Sequence, residues 1–287
     1  MSKLSLLNAM MLDVQNCNLC CKASRDIPSQ KLLRNFIAEQ PNGPLFGLVP
    51  SIWTDWAHRL DTKIAIVGKD WGPWQGPKGI QQNRQRYKEQ IERLGSDHDL
   101  QIWNALIERY NQEDGTSQNL IEYLKNSALL ANVSLPQGFI DNIFVTNAVL
   151  CARANGQNSS GSDNFDAVKS IRNCCSTRKF LYKQLNIVKP TLVVALGEGA
   201  LRGLELFNGG SLHDIVERVQ ASATFYISKN YYGLPLKVVP VYHPAARPLN
   251  RTSVEQSRDY WFIWQALSNI MGLSVQAALN TCFPTID

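Results

Sequence analysis

Residues 62–72 read T-K-I-A-I-V-G-K-D-W-G. The apolar, β-branched run Lys63 to Val67 has the length and composition of a strand buried on both faces. Gly68 then marks a turn, and an aspartate is a common turn residue. Two tryptophans so close behind it, Trp71 and Trp74, set among Gly72, Pro73, Gly76 and Pro77, exceed what a turn requires. The stretch therefore raises two expectations: a buried strand, and a functional segment at its carboxyl end.

Three further stretches share the character of that strand: Ile143 to Val149, Thr191 to Leu196 and Lys237 to Tyr242. Helical patterns separate the four. Tyr87 to Leu94, Gln101 to Tyr110 and Leu120 to Leu130 fill the first gap, and Asp166 to Val188 the second. Leu201 to Phe207 lies in the third, and Val254 to Met271 follows the last strand. Strands alternating with helices predict a mostly parallel sheet covered on both faces, a three-layer α/β/α architecture with four strands. Residues 155–164, N-G-Q-N-S-S-G-S-D-N, read as a polar loop. The expected organisation is one domain over 1–287, with a helical extension over 1–60 and an α/β core over 61–273.

Composition narrows the classes. The protein has 287 residues, 44% hydrophobic and 18% charged, enough to bury a substantial core. No run of about 18 apolar residues exists, so no membrane association is expected. The opening M-S-K-L-S-L-L-N-A-M-M-L reads as an amphipathic helix rather than a signal peptide, and a cytoplasmic location is the expectation. The net charge of +5 is compatible with nucleic acid and does not establish it. A monomer is expected.

Open α/β sheets hold ligands at the carboxyl ends of their strands. The four ends here read G-K-D-W-G, T-N-A-V-L-C, L-G-E-G-A and Y-H-P-A-A-R. Three of them deliver a polar residue, Asp70, Asn147 or His243, to one edge.

At these residues the sequence resembles the uracil-DNA glycosylase superfamily, and within it the iron–sulfur, family 4-like branch. Members carry G-x-x-P-G or G-Q-D-P-Y after the first strand, an asparagine ending a middle strand, and H-P-S after the last. The counterparts are G-K-D-W-G at 68–72, T-N-A-V-L-C at 146–151 and H-P-A-A-R at 243–247. K-P-T-L-V-V-A-L-G-E-G-A-L at 189–201 looks like the family's segment before a short helix. The resemblance covers roughly 62–250 together with the amino-terminal cysteine pair. It departs from the family at Trp71, which replaces a proline, and at Ala245, which replaces the serine. Asp70 is similar to the aspartate of the G-Q-D-P-Y branch, whereas the iron–sulfur branch usually has G-E-A-P-G.

The resemblance implies a DNA-repair hydrolase that flips uracil or a related deaminated base out of DNA and cleaves its N-glycosidic bond. Asp70 would stabilise the sugar cation and orient water; its alternative role is to close the turn. His243 would donate a hydrogen bond to the departing base. Asn147 would match the edge of uracil with one acceptor and two donors, or else satisfy backbone at its strand end. Gly68, Lys69, Trp71, Gly72 and Trp74 would line the base site. Gly72 stands where the strictest uracil enzymes carry a blocking tyrosine, which implies a looser pocket. The tryptophans would stack on the extruded base or pack the sheet edge. Arg247 and Arg251 would contact DNA phosphates, or simply be solvated, with Lys78 a further candidate.

Seven cysteines fall at 17, 20, 21, 151, 174, 175 and 282. The C-x-x-C spacing, in a cytosolic protein, points to metal or redox chemistry. Cys17, Cys20, Cys151 and one of Cys174 and Cys175 suit a structural [4Fe–4S] cluster, which the resemblance favours over zinc or simple buried thiols. Two other function classes stand beside the hydrolase. One is a catalytically inactive nucleic-acid-binding protein of the same fold. The other is a flavodoxin-like enzyme on free nucleotides, for which no G-x-x-x-x-G-K-S/T loop is present.

Overall fold

A computed structural model describes residues 2–16, 59–69, 115–150, 171–244 and 253–284. At the centre lies a five-stranded sheet built from β1 (Ile64–Gly68), β2 (Ile143–Asn147), β3 (Leu192–Leu196), β4 (Ile227–Tyr231) and β5 (Leu234–Val241). Its order is β2-β1-β3-β5-β4, parallel except for β4. Every residue of β1, β2 and β3 is buried, which is why β1 and β3 read as continuous apolar runs and β2 does so up to Thr146.

Alternate residues of these strands feed two separate cores. Ala65, Val67, Phe144, Val193 and Ala195 join one, while Ile64, Ile66, Ile143, Val145, Leu192 and Val194 join the other. The first core is closed by α1 (Lys3–Asn16), α3 (Phe180–Val188) and α4 (Gly197–Gly203). The second is closed by α2 (Gly115–Leu130), α6 (Ser253–Met271) and α7 (Val275–Cys282). The period-two alternation of burial thus makes the expected three-layer α/β/α stack. Helix α5 (Leu212–Gln220) adds Ile215 to the first core. No helix among the described residues is long and apolar enough to cross a membrane.

The sheet has five strands where the sequence pattern predicts four. The added strand, β4, is an antiparallel edge with alternating exposure, so its I-S-K-N-Y lacks the apolar run of a central strand. A two-residue turn joins it to β5. Tyr232 and Gly233 both have positive φ, 52° and 91°, as a type I′ hairpin turn needs, and Asn230 Oδ1 accepts the Gly233 N–H at 2.7 Å. Strand β5 consequently starts at Leu234, three residues before the apolar run suggests.

Helix boundaries shift for similar local reasons. The stretch read as one helix over Asp166 to Val188 contains a π-helical segment, Arg172–Thr177, and a break before α3, where Lys179 adopts a left-handed φ of 56°. The helix read at Leu201 to Phe207 instead starts at Gly197 and ends at Gly203. The expected first helix is present as α1, with Leu7 and Met10 buried and Leu4 and Leu6 exposed. It is tied down by Lys3 Nζ on the Leu60 carbonyl at 2.9 Å and by the Lys183–Asp13 ion pair at 2.7 Å. The helices read at Tyr87 to Leu94 and Gln101 to Tyr110 lie outside the described residues.

Candidate active site

The strand order reverses direction between β1 and β3, since β2 lies to one side of β1 and β3 to the other. In open α/β sheets such a switch opens a crevice at the carboxyl edge. Four segments meet there.

The first two are the ends of β1 and β2. Gly68 pairs with Asn147 in register, and the pairing runs on past both strands. Ala148 N–H donates to the Gly68 carbonyl at 2.9 Å and Val149 N–H to the Lys69 carbonyl at 2.9 Å. The segment that leads into Asp70 is therefore fastened to the segment that carries Asn147. Below Asn147, Thr146 Oγ1 donates to Gln184 Oε1 of α3 at 2.5 Å, which holds the strand end to the helix layer. Asn147 is only 2% exposed, and among the described residues no hydrogen bond uses its amide. A buried amide is costly unless something completes it.

The third segment is L-G-E-G-A. Strand β3 passes into α4 with no intervening loop, and Gly197 makes the transition at φ 74°. A side chain there would be strained by that φ, and its Cβ would meet His243 Cβ at 3.4 Å. Two residues on, Gly199 lies directly under Lys69: a Cβ would sit 2.2 Å from Lys69 Cγ and 2.5 Å from Cδ. At the helix end, Gly203 faces Ala148, whose Cβ would be 2.6 Å from an added methyl. This one short helix thus touches all three other segments, through glycine each time.

The fourth segment follows β5. His243 is half-buried, and Pro244 is buried. Tyr242 binds His213 of α5, phenol oxygen to Nδ1, at 2.7 Å, and His213 Nε2 lies 3.0 Å from Glu217 Oε1. The sequence context of His213 does not mark it, yet it stands at the rim of this edge. Ser211 caps its helix by accepting the His213 N–H at 3.1 Å, a signal visible in S-L-H-D.

Of the residues expected to form the site, Gly68, Lys69, Asn147 and His243 are placed together at this edge. Asp70, Trp71, Gly72, Trp74, Arg247 and Arg251 lie outside the described residues, although Asp70 directly follows Lys69 in the sequence. Two strands, β1 and β3, separate the strand of Asn147 from that of His243. Three interstrand spacings make roughly 14 Å between backbones, room for two side chains and one flat ring between them.

Among the expected cluster ligands, Cys174 and Cys175 are both buried in the π-helical segment beneath Ala148. Cys175 Sγ donates to the Ala148 carbonyl at 3.1 Å. Burial, with a smaller contribution from Glu205, pushes its thiol far above the ordinary range. Cys17, Cys20 and Cys151 lie outside the described residues.

The family model described as the uracil DNA glycosylase superfamily matches residues 59–268, well over half of the protein. No curated protein matches. The matched span starts just before β1 and ends within α6, so it contains all five strands and the whole carboxyl edge.

Proposed function

The chain belongs to the uracil-DNA glycosylase superfamily, and on that premise we propose that it hydrolyses the N-glycosidic bond of uracil, or a related deaminated base, in DNA. The observation that carries this reading is Asn147: a 2% exposed amide with no hydrogen-bond partner among the described residues, at the sheet's ligand-binding edge. An amide offers an acceptor for N3–H and a donor for O4, which is the edge of uracil. Cytosine presents the reverse pattern and would leave both groups unpaired.

A base inside a duplex cannot reach such an edge, so the nucleotide swings out first. Cleavage then builds positive charge on the sugar and negative charge on the departing base. His243 donates a ring N–H, which even a neutral imidazole possesses, to the base oxygen that gains charge. Asp70 balances the sugar cation and orients the water that attacks the anomeric carbon. Water adds there as the C–N bond breaks, and the base leaves as an anion that later takes a proton. Trp71 and Trp74 stack on the extruded ring, and Arg247 and Arg251 hold its flanking phosphates. Gly72, with no side chain, leaves room for substituents at position 5 of the base.

Within the superfamily, the cysteine spacing supports the iron–sulfur branch. Cys17, Cys20, Cys151 and one of the adjacent buried pair Cys174 and Cys175 would hold a [4Fe–4S] cluster. The group would supply no bond-cleaving chemistry; it would tie the amino-terminal segment to the one following Asn147. Replacing both Cys174 and Cys175 with serine is then expected to abolish the broad visible absorbance of anaerobically purified protein, and one of the two single variants to retain it.

The deciding experiment incubates the protein with single- and double-stranded oligonucleotides carrying uracil, hypoxanthine or xanthine, then cleaves abasic sites with alkali. Product from the wild type, and a loss of at least about 100-fold in Asp70→Asn and His243→Ala, is expected. Binding without product from any base would overturn the enzymatic reading in favour of a DNA-binding protein that keeps the fold.

A further inference from the structure

Two helices outside the four edge segments grip the backbone on either side of His243. Before it, the Tyr242 carbonyl accepts a 2.8 Å hydrogen bond from the Tyr260 hydroxyl of α6. After it, the Pro244 carbonyl accepts from Asn119 Nδ2 of α2 at 3.3 Å. Pro244 restricts its own φ as well. From the sheet side, Gly197 leaves only the space of a methyl contact against His243 Cβ. His243, two residues past the end of β5, is therefore constrained through its neighbours' carbonyls.

The gripping groups are themselves fixed. The Tyr123 and Tyr260 rings lie 5.5 Å apart, and the Tyr123 hydroxyl bonds the Gln256 amide oxygen. One turn further, Trp264 Nε1 donates to Ser127 Oγ at 2.8 Å, and Ser127 Oγ in turn donates to the Leu124 carbonyl at 2.8 Å. Helices α2 and α6 thus form one polar-zipped layer, and the grip on His243 is as rigid as that layer.

We propose that Asn119 and Tyr260 are positioning residues for His243, setting the angle at which its ring N–H meets the departing base. This role rests on the catalytic reading of His243 above. Stabilisation of a developing anion demands a donor about 2.7–3.1 Å from where the charge appears. A misplacement of about 1 Å can lower a rate by about 100-fold. Two hydrogen bonds on flanking carbonyls remove the freedom that a strand-end residue otherwise has. Both side chains spend their hydrogen bonds on backbone carbonyls, so neither is expected to change binding.

The test uses the full-length protein and a uracil-containing single-stranded oligonucleotide. Single-turnover cleavage at saturating protein is expected to fall roughly 10-fold in Tyr260→Phe and in Asn119→Ala, with the Kd for DNA held within about twofold. Combined with His243→Ala, neither change is expected to lower the residual rate further, because residues acting through one group are not additive. Histidine-selective 15N labelling adds a readout independent of turnover. Among four histidines, the His243 ring signal is assigned by its absence in His243→Ala, and it is expected to move or broaden in both variants. An unmoved signal, a wild-type rate, or an undiminished effect on the His243→Ala background overturns the proposal. A wild-type rate in His243→Ala itself would instead overturn the catalytic reading on which it rests. Tyr260→Phe removes a single oxygen and carries the test should Asn119→Ala not fold.

Discussion

Replacing Gly203 with alanine sets two known effects against each other at the base of the site. In a helix the change ordinarily gains about 0.5–1 kcal/mol, because glycine loses more backbone freedom on folding. Gly203 ends α4 and is not among the glycines with positive φ, so its backbone admits the methyl. Its surroundings do not. The new Cβ would lie 2.6 Å from Ala148 Cβ and 3.3 Å from Cys175 Sγ. Carbon pairs prefer about 3.5–4.0 Å, so the two methyls must separate by about 1 Å. Neither partner is the loose end of a long side chain. Ala148 is pinned by its N–H on the Gly68 carbonyl, and Gly203 by the Tyr231 hydroxyl on its own carbonyl at 2.8 Å.

Overpacking of this kind costs about 1–3 kcal/mol, so it outweighs the helical gain and leaves a net loss of about 1–2 kcal/mol. In a protein of this size that lowers Tm by roughly 2–8 °C. Urea denaturation followed by far-UV circular dichroism measures the difference directly. Adding Ala148→Gly removes the clashing methyl, so the double variant is expected to be more stable than Gly203→Ala alone. Stability at or above wild type for Gly203→Ala would refute the steric reasoning, as would a double variant no better than the single.

Two further predictions concern groups away from the edge. Arg59 is fully buried and donates to the Ile140 carbonyl at 2.8 Å, the Ile143 carbonyl at 3.2 Å and Asp141 at 3.1 Å, so Arg59→Ala is expected to cost about 2–4 kcal/mol in the same urea assay. A loss below about 1 kcal/mol would contradict it. Burial, partly offset by Lys63, pushes the Cys282 thiol up to about 11. A folded pKa above the unfolded value of about 8.5 gives stability that is full below pH 8.5 and is lost as pH rises toward 11. Cys282→Ala is expected to flatten the fall in denaturation midpoint across that window, and an unchanged slope would contradict the assignment.

What the sequence made legible follows from how each element is buried. β1, β2 and β3 are covered on both faces, so they are apolar apart from Thr146 and Asn147 at the end of β2, and the runs stand out. β4 faces water on alternate residues, so no apolar run marks it. α5 and α7 carry ordinary signals, serine caps at Ser211 and Ser274, but both are short and their apolar stripes brief. Asn147 and His243 stood out as candidates because a polar residue at the end of a buried run is conspicuous. Asn119 and Tyr260 did not, because they act on backbone carbonyls more than a dozen residues away, and no local pattern encodes such a partner.

The division of labour at the edge has a physical basis in how each part is held. Asn147 and His243 emerge from segments fixed by sheet pairing, by glycine contacts with α4 and by bonds to helices on both faces. Moving either would disturb a core, so their spacing is set by the fold. The stretch after Lys69 is different in composition: D-W-G-P-W-Q-G-P is rich in glycine and proline, residues that specify turns rather than core. It also holds Trp71, which stands where the motif it resembles carries a proline. On the proposed function, Asn147 rejects cytosine, and selectivity among bases that share the uracil edge is carried by residues 70–74. Substitution at Gly72 is expected to change which bases are cleaved while leaving stability near wild type, whereas substitution at Gly197 or Gly199 would disturb the placement of His243 or Lys69 themselves.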